Sequence, residues 1–201
     1  METRIVSPVS PLVESPAMVQ IKGGVLKSRL ALVEQLAPED GLKRVLAEMS
    51  PPDQAALRSL LDSSWYPFEL GQRLDDAVVK VIGGGRTEFF ERIGEASAER
   101  NLGGVHKKFL VEGKPQAFLA KASLIYSFYY DQGRREYQAV GPKEAVLTTY
   151  DAETYSTADC LTVVGWYRKA LEMCGAAAPK VEEEECRARG GQVCRYRLTW
   201  K

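Results

Sequence analysis

"LIYSFYYDQGRREYQAVGPKEAVLTTYDA", residues 124–152, is where the spacing of apolar residues changes from a helical period to a strand period. Residues 124–131 are dense in β-branched and aromatic side chains, "DQGR" is a turn, and "REYQAV" continues extended, so the stretch reads as a β-hairpin. Gly141 and Pro142 end it, and "EAVLTTYDA" reads as a third strand. On this reading Tyr126, Phe128 and Tyr130 share one face of the first strand.

N-terminal to this stretch the pattern is helical. Leu26, Leu30, Val33 and Leu36 recur at helical spacing until Pro38 stops them, and a second helix is expected from Glu39–Asp40 to Met49. "SPPDQAALRSLLD" opens a third, with Ser50 as cap and Asp53 at the positive helix end. A fourth runs from about Pro67 to Ile82, burying Leu70, Leu74 and Val78, with Asp75 and Asp76 on its solvent face and Gly83–Gly85 as its stop. The next begins near Thr87 and breaks at Gly103–Gly104; its Gly94 and Ser97 leave a narrow face for a close helix approach. Pro115 starts a shorter helix ending near Ser123.

C-terminal to it, a helix follows from Thr157, a plausible N-cap, to Gly175, and strands are expected near 180–187 and 193–200. The expected fold class is α+β: N-terminal helices followed by an antiparallel sheet in the order βββαββ, closing on a C-terminal hairpin. Residues 1–22, with Pro8, Pro11 and Pro16 among serines, read as a flexible arm, and 23–201 as one domain.

Lys plus Arg equals Asp plus Glu, 27 each in 201 residues, so no overall field draws the chain onto nucleic acid or an anionic membrane. Neither a secretory signal nor a membrane-length apolar run is present, and a cytoplasmic protein is expected. A reducing compartment disfavours disulfides, which bears on Cys160, Cys174, Cys186 and Cys194. If Arg189–Gly190–Gly191 is a three-residue loop with Gly191 left-handed, Cys186 and Cys194 face one another, about 4.5–5.5 Å apart at Cβ. A shared metal, two buried thiols and a disulfide all remain open for that pair.

"VEEEECRARGGQVCRYRLTW", preceded by "CLTVVGWYRKAL", resembles the C-terminal half of the 4-vinyl reductase domain family, over roughly residues 120–201. The N-terminal helices look like a family of uncharacterised myxobacterial proteins of similar length. The wider superfamily holds haem nitric-oxide sensors and Golgi-transport vesicle-tethering subunits. In the sensors of the first family, a cysteine at a helix start, a Glu-x-x-Cys and a cysteine eight residues on bind a structural zinc; the matching positions are Cys160, Glu183, Cys186 and Cys194. A regular strand would put Glu183 and Cys186 on opposite faces, so Glu183 needs a bulge, and Glu184 is the alternative. Three thiolates and a carboxylate would close a tetrahedral site with no place for an activated water.

The resemblance implies a small-molecule sensor with a pocket between helices and sheet, for which His106, Phe109, Tyr126, Phe128, Tyr130 and Trp166 are the candidate lining. A single histidine, no nucleophile elbow and no nucleotide fingerprint leave no catalytic machinery, so no enzyme is expected. The expectation is a zinc-stabilised, homodimeric domain that takes a small hydrophobic or aromatic ligand and acts through a protein partner. The alternatives are a scaffold without a pocket and a haem or nitric-oxide sensor.

Overall fold

The computed structural model describes residues 18–104 and 106–201, so the N-terminal arm as far as residue 17 lies outside the described residues. The last residues assigned to that arm, Gln20–Lys22, are strand β1, paired antiparallel with β2 (Trp65–Pro67). Around this small sheet pack α1 (Gly23–Leu36), α2 (Gly41–Ala47), α3 (Pro51–Arg58) and α4 (Phe68–Val81). Ser50 Oγ accepts the Asp53 N–H at 3.3 Å and Pro51 and Pro52 occupy the first turn, which fixes where α3 starts. The apolar faces of these helices meet in a core of Ile21, Leu26, Val33, Leu74 and Val78, closed by Phe90 from α5 (Phe89–Gly103).

A second core surrounds α8 (Thr157–Met173), which is buried on most sides because α5 covers one and the sheet another. That sheet is antiparallel in the order β3-β4-β6-β5, from β3 (Arg134–Gly141), β4 (Glu144–Tyr150), β5 (Lys180–Glu185) and β6 (Cys194–Thr199). The N-cap of α8 is Ser156 rather than Thr157; its hydroxyl accepts the Asp159 N–H at 3.0 Å. Between α5 and the sheet run a 3-10 turn (Lys107–Phe109), α6 (Pro115–Leu119) and α7 (Ala122–Ser127). No helix among the described residues is long and apolar enough to cross a membrane.

The fold is α+β, with ββαββ in place of the expected βββαββ. The stretch read as the first strand is α7 and its following turn. Ala122, Ile125 and Tyr126 are buried while Leu124 and Phe128 are exposed, a helical rather than alternating pattern. Tyr126 and Tyr130 stack with centroids 4.9 Å apart, as neighbours one helical turn apart do. Aromatic density does not by itself select a strand; here the buried face of α7 packs back onto β3 instead of extending its sheet.

The terminal hairpin departs from a regular one in a way that matters for the site. Lys180–Glu183 pair with Thr199–Tyr196, then the register slips at Glu184, so that Glu185 pairs with Arg195. Past this bulge Cys186 and Cys194 come together. The left-handed residue is Gly190, at φ 87°, not Gly191. Glu185 Oε1 accepts the Gln192 N–H at 2.8 Å and fastens the loop closed.

Candidate functional site

The first turn of α8 and the terminal hairpin bring Cys160, Glu183, Cys186 and Cys194 together, with one potential ligand atom from each lying within 4.8 Å of the others. Bulging at Glu184 rotates Glu183 inward, while Glu184 itself pairs with Arg197 at the surface. The four cysteines are unpaired by disulfides; Cys160 Sγ and Cys194 Sγ are 3.9 Å apart, and Cys174 is buried elsewhere, at the end of α8. The Glu183 side chain is only 6% exposed, and although Arg189 Nη1 approaches its Oε2 to 2.8 Å, neither carboxylate oxygen has a formed hydrogen bond. A buried carboxylate left so beside three thiols is the donor set of a soft-metal site. The Cys194 thiol is drawn down to about 7, first by the hydrogen bond from Cys160 and then by the Arg187 N–H, against the opposing effect of burial. Cys160, as the partner keeping its proton, is pushed up.

A cavity of about 50 Å³ lies between α5, α7, β3 and α8, walled by Tyr126, Tyr129, Tyr130, Arg135, Trp166 and Tyr167. The wall includes a buried Tyr129 hydroxyl with no hydrogen-bond partner. Arg135 is 6% exposed; its Nε donates to Thr149 Oγ1 at 2.8 Å and its plane lies over Tyr126, Tyr167 and Tyr196. A smaller recess on the other side of Arg135 reaches Cys160 and Cys194, so cavity and thiol cluster share a wall.

A third buried polar group joins the two cores. Arg29 of α1, 1% exposed, lies 2.7 Å from Asp75 of α4 and 3.1 Å from Asp159 of α8. Tyr130 donates its hydroxyl to the same Asp159 carboxylate, 3.0 and 3.1 Å from its two oxygens. Asp75 therefore faces inward, not to solvent as its place on α4 suggested; only Asp76 does. Its partner sits 46 residues earlier on another helix, a distance across which periodicity carries no information.

Of the predicted pocket residues, the structure places Tyr126, Tyr130 and Trp166 at the cavity. His106, Phe109 and Phe128 form a separate aromatic cluster: the His106 ring stacks on Phe128 at 5.1 Å and lies 5.6 Å from Phe109. Because residues 124–131 coil rather than extend, Phe128 points away from Tyr126 and Tyr130. His106 lines a surface groove of about 410 Å³ with Lys22, Asp62, Arg100 and Phe128. The sequence reading missed Arg135 and Tyr129; Arg135 stands between Arg134 and Glu136 in a mostly polar, exposed strand, so no local pattern marked it as buried.

Helices leading into a four-stranded antiparallel sheet, with one long helix held between that sheet and α5, define a domain of the H-NOX fold. Solved structures similar to it include an H-NOX protein from S. oneidensis in the Fe(II)NO state (TM-score 0.69, 12% identity, covering 90% of this chain and 99% of that one). An unliganded Fe(II) H-NOX variant from K. algicida gives 0.66 at 12% identity, over 90% and 96% of the two chains. The oxygen complex of an H-NOX domain related to soluble guanylate cyclases gives 0.65 at 13% identity, over 90% and 95%. Such identities carry the fold alone. The chain belongs to the family described as "protein of unknown function (DUF2378)", whose profile matches residues 29–201. Among the curated proteins nothing matches.

These matches correct the resemblance to the 4-vinyl reductase domain family: the profile covering the chain is a different one, and the solved neighbours are H-NOX proteins. Zinc as a structural cofactor is withdrawn with that resemblance; the cofactor that the neighbours' names point to is haem. The interior does not fit that group. A cavity of about 50 Å³ is below the roughly 150 Å³ that holds a benzene. The helices on either side of it also meet backbone to backbone, a Cβ on Gly165 falling 1.8 Å from Glu91 O. His106, the only histidine, does not line this cavity.

Proposed function

We propose that this chain is a non-enzymatic sensory domain on the H-NOX fold, which takes a small molecule in the cavity between α5, α7, β3 and α8 and passes its occupancy to a protein partner. The observation that carries it is the cavity wall: buried aromatic side chains with two polar groups, Arg135 and the Tyr129 hydroxyl, converging on one space, the usual make-up of a ligand pocket. Trp166 of α8 and Tyr130, through Asp159 and Arg29, connect that space to both cores, so an occupant can bias their packing. Native mass spectrometry of the purified protein is expected to show a co-purified small molecule whose retention falls in Trp166→Ala; a wild-type protein that binds nothing in a small-molecule screen sinks the reading.

One observation favours a second reading, a haem sensor. His106 has no hydrogen bond from either ring nitrogen among the described residues, and its surface groove falls within the roughly 300–1,000 Å³ of ligand sites. Haem titration separates the readings: a Soret band that disappears in His106→Ala supports haem in the groove, and an unchanged spectrum excludes it.

Cys160, Glu183, Cys186 and Cys194 are proposed as a site able to take up a soft, thiolate-preferring cation. The support is the buried, unbonded Glu183 carboxylate facing three thiols. Cobalt(II) serves as the probe. The expected result is a single ion per chain with thiolate-to-cobalt charge-transfer absorption, lost in Cys186→Ser and in Cys194→Ser, with affinity falling as pH falls because the thiols must lose their protons to bind. Cobalt binding that survives both substitutions refutes the site.

A further inference from the structure

Among the described residues two arginines are buried, and one of them, Arg29, is neutralised at contact. Arg29 lies between two carboxylates, Asp75 and Asp159. Arg135, just as deeply buried, makes no ion pair among the described residues. Asp159 and the Cys194 thiol both feel its charge without pairing with it: the carboxylate is committed to Arg29 and Tyr130, and the thiol to Cys160 and the Arg187 N–H. Of the five N–H donors of a guanidinium, one reaches Thr149 Oγ1 and one reaches Tyr167 OH at 3.5 Å, leaving three without a protein acceptor.

Three tyrosine rings hold the guanidinium plane in place. Such contacts offset only part of the ion's desolvation penalty and satisfy none of its N–H donors. A buried cation without an ion-pair partner among the described residues, in the wall of a cavity that the unpartnered Tyr129 hydroxyl also lines, is the arrangement of an anion receptor.

We infer that the cavity is a receptor for a small planar oxyanion, a carboxylate or a nitrogen oxyanion, with Arg135 giving the charge and the forked donors and Tyr129 a further hydroxyl donor. This deepens the proposed sensory reading and rests on it. A volume of about 50 Å³, against the roughly 10–15 Å³ of cavity space that one water needs, limits the occupant to a few heavy atoms. Fork geometry selects planar, two-oxygen acceptors over a spherical halide.

The test is thermal unfolding of the full chain, dialysed free of small acids, in formate, acetate, nitrite or nitrate, each against chloride at equal ionic strength. At least one oxyanion is expected to raise the midpoint saturably where chloride does not. Arg135→Met, an apolar replacement of a buried charge, abolishes that rise. Tyr129→Phe, which keeps the ring, weakens binding roughly tenfold or more, as loss of a hydrogen bond to a charged group does. Arg135→Lys guards against a methionine variant that does not fold: it keeps the charge, loses the fork, and is expected to bind at least tenfold more weakly. No saturable effect of any of the four anions on the wild type overturns the inference, as does wild-type affinity in Arg135→Lys and Tyr129→Phe. Xenon binding that Arg135→Met leaves unchanged, in a protein indifferent to all four anions, retains the cavity as a ligand site while overturning the oxyanion.

Discussion

Replacing Arg29 with methionine is expected to lower stability by about 3–5 kcal/mol, because it leaves two buried carboxylates facing each other with no cation between them. Total stabilities of domains are roughly 5–15 kcal/mol, so the variant should be at or near the edge of folding. Arg29 contacts both Asp75 on α4 and Asp159 on α8, and Asp159 in turn binds Tyr130 at the cavity wall. Without it the two cores repel where they now attract. Urea unfolding of the wild type, Arg29→Met and the Arg29→Met/Asp75→Leu double variant measures this: the double variant removes one of the stranded charges and should regain much of the loss. A single variant with the wild-type midpoint would show that the three charges do not meet in the folded protein.

The same cluster fixes a pH dependence. Burial, with Asp159 nearby, pushes the Asp75 carboxyl up to about 7, against the pull of Arg29. Between its ordinary value of about 4 and this one, the folded chain holds a proton that the unfolded chain has released. The stability that Asp75 allows is therefore greatest on the acid side of that window, falls as pH rises through it, and is level above about pH 7. The slope is bounded by one proton, about 1.4 kcal/mol per pH unit. Asp75→Asn should remove this part of the slope while leaving the Arg29–Asp159 pair intact, a result read from urea midpoints at pH 5, 6, 7 and 8.

Helix starts and stops were legible because their causes are local: Ser50 and the prolines at α3, and the glycines after α4, act within one turn of the residues they govern. Gly94 and Ser97 announced a close helix approach, and Gly94 meets α8 at Thr162 O. The aromatic stretch at 124–131 was misread because its residue types favour strands while its order does not. Ala122, Ile125, Tyr126, Tyr129 and Tyr130 follow the three-and-four spacing of a helix face, and that spacing, rather than composition, carried the signal. At the site, the cysteine spacing led to the residues that the structure groups, but the bulge that turns Glu183 inward follows from packing across the whole hairpin. Arg29, Asp75 and Asp159 were out of reach, since pairing across three helices leaves no local trace.

Gly165→Ala is expected to be comparably severe, at about 3 kcal/mol or more, the upper end of overpacking penalties. The added methyl lies 1.8 Å from Glu91 O and 2.6 Å from Glu91 C, and neither neighbour is a side chain that can rotate away. Across the same crossing a methyl on Gly94 falls 2.0 Å from Thr162 O, so each glycine admits the other helix's backbone. Relief requires α5 and α8 to separate by more than an ångström, and α8 carries Trp166, Asp159 and Cys160 with it. The separation should open the cavity as well as destabilise the fold, coupling a stability loss to weaker ligand binding. Gly103→Ala is the control of opposite sign: it lies at the end of α5 with nothing within 4 Å of the new methyl, and should stabilise by roughly 0.4–1 kcal/mol through the unfolded chain. Thermal midpoints of the three proteins decide the matter. A Gly165→Ala variant as stable as Gly103→Ala would mean that α5 and α8 do not cross on their backbones, and the size of the cavity between them would then no longer exclude a buried macrocycle.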